Sequence, residues 1–348
     1  MLVSRMHCGP EHNSGPATIH SFRWANSLMT LTNRKPGLDV IRVLAAGLVF
    51  FQHTMSSCQL DHWIDIGGFR VGRIGTSLFF LLAGLLAASS TRSPVVWFKN
   101  RLTTLFPPFW IVTLAGFALA GFSDLKSFDA WQVVCQMSGM GYFTHGERII
   151  NVATWFMSPL LILYLLAMIA RLTHSLSVGL LMLIVSGVTS ALFDGYRGIM
   201  FCHSVTFFTA YLWGNQRGST QQWMILVSIA CLAGGTVIQP DFKYGALGLL
   251  IFGISSFVKD AGPLPTRFAA IAYEWFLVHG LCISVISAGT HNVWIVAPVA
   301  AVLSVLTANR LKWSVRQLKA LLTLAESREL TSTGLPQSAR QPTLAEKM

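Results

Sequence analysis

The sequence predicts an all-α fold, a polytopic membrane bundle of about ten transmembrane helices. Hydrophobic residues make up 53% of the 348-residue chain and charged residues only 11%, whereas soluble domains carry about 25% charged residues. The mean hydropathy is +0.56. Apolar runs recur from Val40 almost to Arg310 with no soluble-looking block between them, the pattern of successive membrane-spanning helices.

The stretch 1–37 mixes His, Pro, Ser and Arg and has no apolar core long enough for a signal peptide. It is expected to be a cytoplasmic tail. The membrane domain then covers 38–310. Its first span lies near 40–56. The second, near 72–90, carries Gly72, Gly75 and Gly84, which permit close helix approach or a narrow tunnel. The third, near 103–121, contains Pro107 and Pro108, expected to break or kink it where it lines a cavity. The long connection 122–153 contains "FDAWQVVCQMSGMGYF", read as an interfacial helix. The remaining spans lie near 153–170, 176–193, 200–214, 222–239, 244–258, 268–288 and 292–309. Several are short for a hydrocarbon core of about 30 Å, so local thinning or shielding by neighbours is needed. A cytoplasmic C-terminal tail occupies 311–348. From Ser327 it is polar, with Pro336 and Pro342, and is expected to be disordered.

The formal net charge is +11. The basic residues sit in short loops and tails between apolar runs, which points to orientation and lipid headgroup contact rather than to nucleic acid. With the N-terminus inside, 18 of the 25 Lys and Arg lie in inner loops and tails, 6 lie outside, and Arg42 lies in the first span. That asymmetry places both termini in the cytoplasm with an even number of spans. The six cysteines show no paired metal-ligand spacing, and no metal is expected. Cys231 and Cys282 fall in apolar runs as packing residues. Cys58 and Cys135 both face outside by this topology, which allows a disulfide.

The first span opens "LDVIRVLAAGLVFFQH", with Asp39 and Arg42 near one end and His53 at the other. Arg42 and His53 are eleven residues apart, about three turns plus 20°, and so project from nearly one face. The axial rise between them is about 16 Å. Ionisable groups in a span are costly and usually face a bundle interior or a wet cavity. Plainer readings stay open: Arg42 can snorkel to the inner interface with Asp39 as its surface partner, and His53 can be a core histidine.

That stretch resembles the opening signature of the acyltransferase-3 family of integral membrane O-acyltransferases, an arginine and a histidine separated by ten residues. "GRIGTSLFFLLAGLL" is similar to the family's glycine, double-Phe, Ser-Gly segment, with Ala83 in the serine position. "WFKNRLTTLFPPFWI" resembles the basic stretch that ends in proline and an aromatic residue. "WFLVHG" is similar to a late segment ending in histidine, with Phe276 in a tyrosine position. Two departures stand out. Arg101 matches the first of two family arginines, but Thr104 occupies the second. Trp155 and Tyr164 match a tryptophan–acid–tyrosine pattern, but Leu160 and Leu161 stand where the acid belongs.

The resemblance implies transfer of an acyl group, often acetyl, from cytoplasmic acyl-CoA to a hydroxyl of an extracytoplasmic glycan, exopolysaccharide or lipid-linked sugar. The implied location is the bacterial inner membrane, with the lipid bilayer and the glycan acceptor as partners and no nucleic acid. His53 suits the base that takes the hydroxyl proton, with Arg42 and Asp39 completing the catalytic set. Arg42, Lys99 and Arg101 are the candidates for the CoA phosphates, although orientation alone explains a lysine at 99 equally well. His279, with Glu274 just before it, is a second intramembrane histidine that can position His53 or orient the donor; a buried structural hydrogen bond is the alternative. Trp155, with Trp63, Tyr142 and Tyr196, lies outside and can stack on sugar rings or form an interfacial belt. Two other classes stay open: a transporter of a small solute, against which stands the absence of internal repeats, and an inactive assembly subunit of the same fold.

Overall fold

The computed structural model describes residues 36–122, 128–145, 149–173, 175–192, 195–215, 219–255, 258, 260 and 262–332. Among them the chain is almost wholly helical. The first helix, α1 (Pro36–Ser57), opens on a proline, which costs nothing in the first turn because its missing N–H has no partner there. A hairpin follows, β1 (Asp65–Ile66) against β2 (Phe69–Arg70), paired antiparallel with Asp65 opposite Arg70. Its two-residue loop is Gly67-Gly68, and both have positive φ (60° and 77°), the backbone that such a tight turn requires.

The membrane helices come next: α2 (Val71–Ala88) and α3 (Pro94–Phe122), then the short α4 (Ala130–Met137) and α5 (Gly141–His145), then α6 (Met157–Leu172), α7 (Leu176–Leu192), α8 (Gly195–Gly214), α9 (Ser219–Gly235) and α10 (Phe242–Ser255). The last three are α11 (Pro263–Ala269), α12 (Ala272–Ser287) and α13 (Val293–Ser332). Each of the ten expected spans coincides with a helix, the ninth with the pair α11 and α12. Among the described residues five helical segments are long and apolar enough to cross a membrane: α1, α2, α3 to Ala120, Val152–Leu172 and α13 to Leu324. The α11–α12 pair forms a sixth, bent by 71°. The apolar parts of α7, α9 and α10 are shorter, as the sequence anticipated. The expected interfacial helix is α4, capped by Asp129, whose carboxylate accepts from the Gln132 N–H at 2.7 Å.

Three expectations need correction. The two prolines do not interrupt α3, which runs unbroken past Pro107 and Pro108. The carbonyls that lose an N–H partner to these prolines are those of Thr103 and Thr104, four residues back, and the rest of the helical ladder carries α3 through. Cys58 and Cys135 are both buried and free rather than bridged. The last helix does not stop near 309 but continues to Ser332, past the start of the expected polar tail.

The bundle is organised around α2. Its apolar window is 78% buried, against 22% for α13, so α2 is central and α13 peripheral. α2 packs on α1, α8 and α10. Small residues make this possible: a Cβ on Gly84 would overlap the Phe207 carbonyl of α8, and one on Gly75 would overlap the Ala45 carbonyl of α1. Lipid tails are as apolar as leucine, so close contact and interhelical hydrogen bonds, rather than escape from water, hold such helices together. Examples are Trp275 Nε1 donating to Ser304 Oγ (2.9 Å) and Asn151 Nδ2 donating to the Leu277 carbonyl (2.8 Å).

Candidate functional site

The ionisable stripe of α1 faces protein, not lipid. Asp39 is buried and accepts from Arg42 Nη1 at 2.9 Å. Asp39 is therefore not a surface partner: its carboxylate fixes a half-buried guanidinium at the wall of a cavity of about 400 Å³. Arg101 of α3, Glu274 of α12 and Lys312 of α13 reach the same cavity. Lys312 Nζ is hydrogen-bonded to the Ala270 carbonyl, where α11 ends. Four helices thus bring three cations and one acid to one place.

The other end of the stripe meets α12. The His53 and His279 rings are 5.2 Å apart. His53 is half-buried; His279 is fully buried, and its Nε2 has no hydrogen-bond partner. Phe50, one turn before His53, lies 6.3 Å from the His279 ring. Phe276, one turn before His279, is edge-on to it at 5.5 Å and also lines the cavity. One aromatic ring therefore touches both the cavity and His279. Phe79 of α2 and Phe156 close on Phe276 at 4.9 and 4.5 Å and line the same cavity, which makes this wall apolar.

The structure brings together Asp39, Arg42, Arg101 and Glu274 at the cavity, and His53 with His279 beside it. It does not bring Lys99 there: Lys99 is exposed and lines no part of that cavity. Trp155 belongs to another aromatic group, 5.5 Å from Tyr142 and 5.9 Å from His203. Trp63 is exposed, and the side chain of Tyr196 lies outside the described residues. Of the positions that depart from the family pattern, Thr104 and Leu160 line the cavity, as does Tyr164, whereas Leu161 does not.

Two residues escaped the sequence reading. Lys312 counted only toward orientation, because nothing in the sequence says that α13 continues and turns that residue inward. His203 lies in the apolar run 200–214 and was findable by the rule that marked His53 and His279: an ionisable group inside a span faces the interior. It is buried, stacks on Phe80 at 5.1 Å, and has Nδ1 3.2 Å from Ser77 Oγ.

Chemically, the cavity offers cations for an anion and an apolar wall whose Phe276 touches His279 of the histidine pair. Arginine makes forked, charge-assisted bonds to phosphate, and an imidazole with a lone pair takes a proton from an attacking hydroxyl. A family model described as an acyltransferase domain, that of the acyltransferase-3 family, matches residues 35–308. No curated protein and no solved structure matches the chain.

Proposed function

Because the chain belongs to the acyltransferase-3 family, whose domain spans 35–308, and is a membrane acyltransferase, we propose that it moves an acyl group, acetyl foremost, from cytoplasmic acyl-CoA to a hydroxyl of an extracytoplasmic glycan or lipid-linked sugar. One observation carries this reading: the cavity walled by Arg42, Arg101 and Lys312 shares Phe276 with the His53–His279 pair. The phosphates of the donor bind at the cations, and the pantetheine arm enters the cavity. Its volume lies in the ordinary ligand range of about 300–1,000 Å³. The thioester arrives beside His53. The acceptor hydroxyl attacks the thioester carbonyl, His53 takes its proton, the C–S bond breaks, and the proton passes to the departing thiolate. Oxygen-acylated acceptor and free CoA result. His279 holds His53 in place, and Asp39 holds Arg42.

The departures from the family pattern fit an active enzyme under this reading. Thr104 replaces an arginine, and Leu160 and Leu161 stand where the acid belongs, yet Lys312 and Glu274 deliver a cation and an acid to the cavity that Thr104 and Leu160 line. The donor is tested with purified protein, labelled acetyl-CoA and a panel of glycans. Transfer of label is expected. Uptake into vesicles without acylation identifies a transporter, and neither transfer nor uptake identifies an assembly subunit.

A further inference from the structure

We propose that a second cleft, enclosed by the α2–α3 connection and the ends of α6 and α8, binds the nucleotide end of the donor, an adenosine phosphate. The inference rests on the acyl-CoA reading above and names where the rest of that molecule lies. The cleft has a volume of about 810 Å³, twice that of the cavity beside the histidines. Ser90, Thr91 and Arg92 line it from the connection, Arg171 from α6, and Tyr211 and Asn215 from α8. No acidic residue is among the described residues that line it. Hydroxyls, an amide and two guanidiniums without a carboxylate select an anion that also carries hydrogen-bonding groups.

Arg171 is built into its place. Nη2 donates to the carbonyls of Ser90 at 2.9 Å and Arg92 at 2.6 Å, and the guanidinium lies over the Trp97 ring, 5.1 Å from its centre. Nη1 is buried and has no hydrogen-bond partner. Arg101 lies over the same indole at 5.9 Å. Two guanidiniums therefore share one ring, and among the described residues neither forms an ion pair. Like charges on one ring repel, and a polyanion that reaches both removes the repulsion.

Buried Trp97 lies under one arginine from each cavity. Arg101 lines the smaller one, as does Tyr164, whose ring is 5.3 Å from Trp97, while Arg171 lines the larger. A donor with its phosphates between Arg101 and Arg171 has its nucleotide in the larger cleft and its acyl-pantetheine arm in the smaller. One molecule then uses both. A lipid headgroup or free phosphate offers the same oxygens, so the test separates these sources.

The experiment measures, by calorimetry in phosphatidylcholine nanodiscs, binding of acetyl-CoA, adenosine 3′,5′-bisphosphate, acetyl-pantetheine and inorganic phosphate to the full chain. Wild type should bind the bisphosphate in competition with acetyl-CoA. Arg171→Gln should weaken the bisphosphate at least tenfold and leave acetyl-pantetheine unchanged. Asn215→Asp, an exposed position that puts a carboxylate into the cleft, should weaken the bisphosphate similarly and decides the matter if the first variant does not fold. Unchanged bisphosphate affinity in the folded variants overturns the subsite while the donor reading stands. Displacement of the bisphosphate by phosphatidylglycerol or by equimolar phosphate assigns the cleft to headgroups or to any anion, and also overturns it. If wild type binds no acetyl-CoA, the donor reading itself fails and the subsite falls with it.

Discussion

At the scale of single residues the proposed function assigns binding to one end of the first helix and chemistry to the other, and substitutions test that division. His53→Ala should abolish transfer, a loss of about 10²–10⁴-fold for a missing general base, with acyl-CoA affinity nearly unchanged. A folded His53→Ala protein that acylates at a near-normal rate would show that His53 is not the base. Arg42→Ala should act on affinity, since a charge-assisted hydrogen bond contributes about 1.5–3 kcal/mol, or roughly tenfold or more in Kd. Asp39→Asn removes the 2.9 Å ion pair but keeps the guanidinium, so it should raise KM with a smaller effect on kcat. Equal losses in both constants would place Asp39 in the chemistry instead. Asp39, Arg42 and His53 were legible in the sequence because an ionisable group in an apolar run is conspicuous and has few tolerable surroundings. Lys312 was not, because a lysine just past an apolar run is the ordinary mark of an inner loop.

At the scale of elements, α2 depends on residues that have no side chain. Gly84 faces the Phe207 carbonyl of α8 so closely that Gly84→Ala must push two buried helices apart. It should cost about 1–3 kcal/mol, as overpacking does, and lower the midpoint of thermal unfolding in detergent. Gly47→Ala in α1 is the control, because a Cβ there meets nothing within 4 Å; helix propensity alone predicts no loss or a small gain. Equal behaviour of the two variants would remove Gly84 from the packing argument. The elements were mostly readable: ten apolar runs gave ten helical positions, and the capped α4 appeared in the long connection. The prolines of α3 misled because a proline pair reads as a break, whereas a helix packed in a bundle carries on past the two carbonyls they free.

At the scale of the whole molecule, the charge asymmetry makes a claim about sidedness. Cysteines introduced near Arg92 and Arg310 should be labelled from the inside of intact cells only when the membrane is permeabilised, and cysteines near Asp61 and Val237 without permeabilisation. Labelling of Arg92 and Asp61 positions from the same side would overturn the topology. The sequence by itself determined that this chain is an all-α membrane bundle, which helices it forms, and which face of the first one is polar. Those follow from local hydropathy and from periods of 3.6 residues, and need no knowledge of neighbours. Only the tertiary structure decided that Arg101, Glu274 and Lys312 join Arg42 at one cavity, that Lys99 does not, and that His279 stands beside His53. Residues separated by more than two hundred positions meet there because the glycines of α2 let α1 and α8 close in and because α11 and α12 bend by 71°. A linear pattern does not encode such meetings: helix order and crossing are set by how surfaces interlock, and that is a property of pairs of helices rather than of either one.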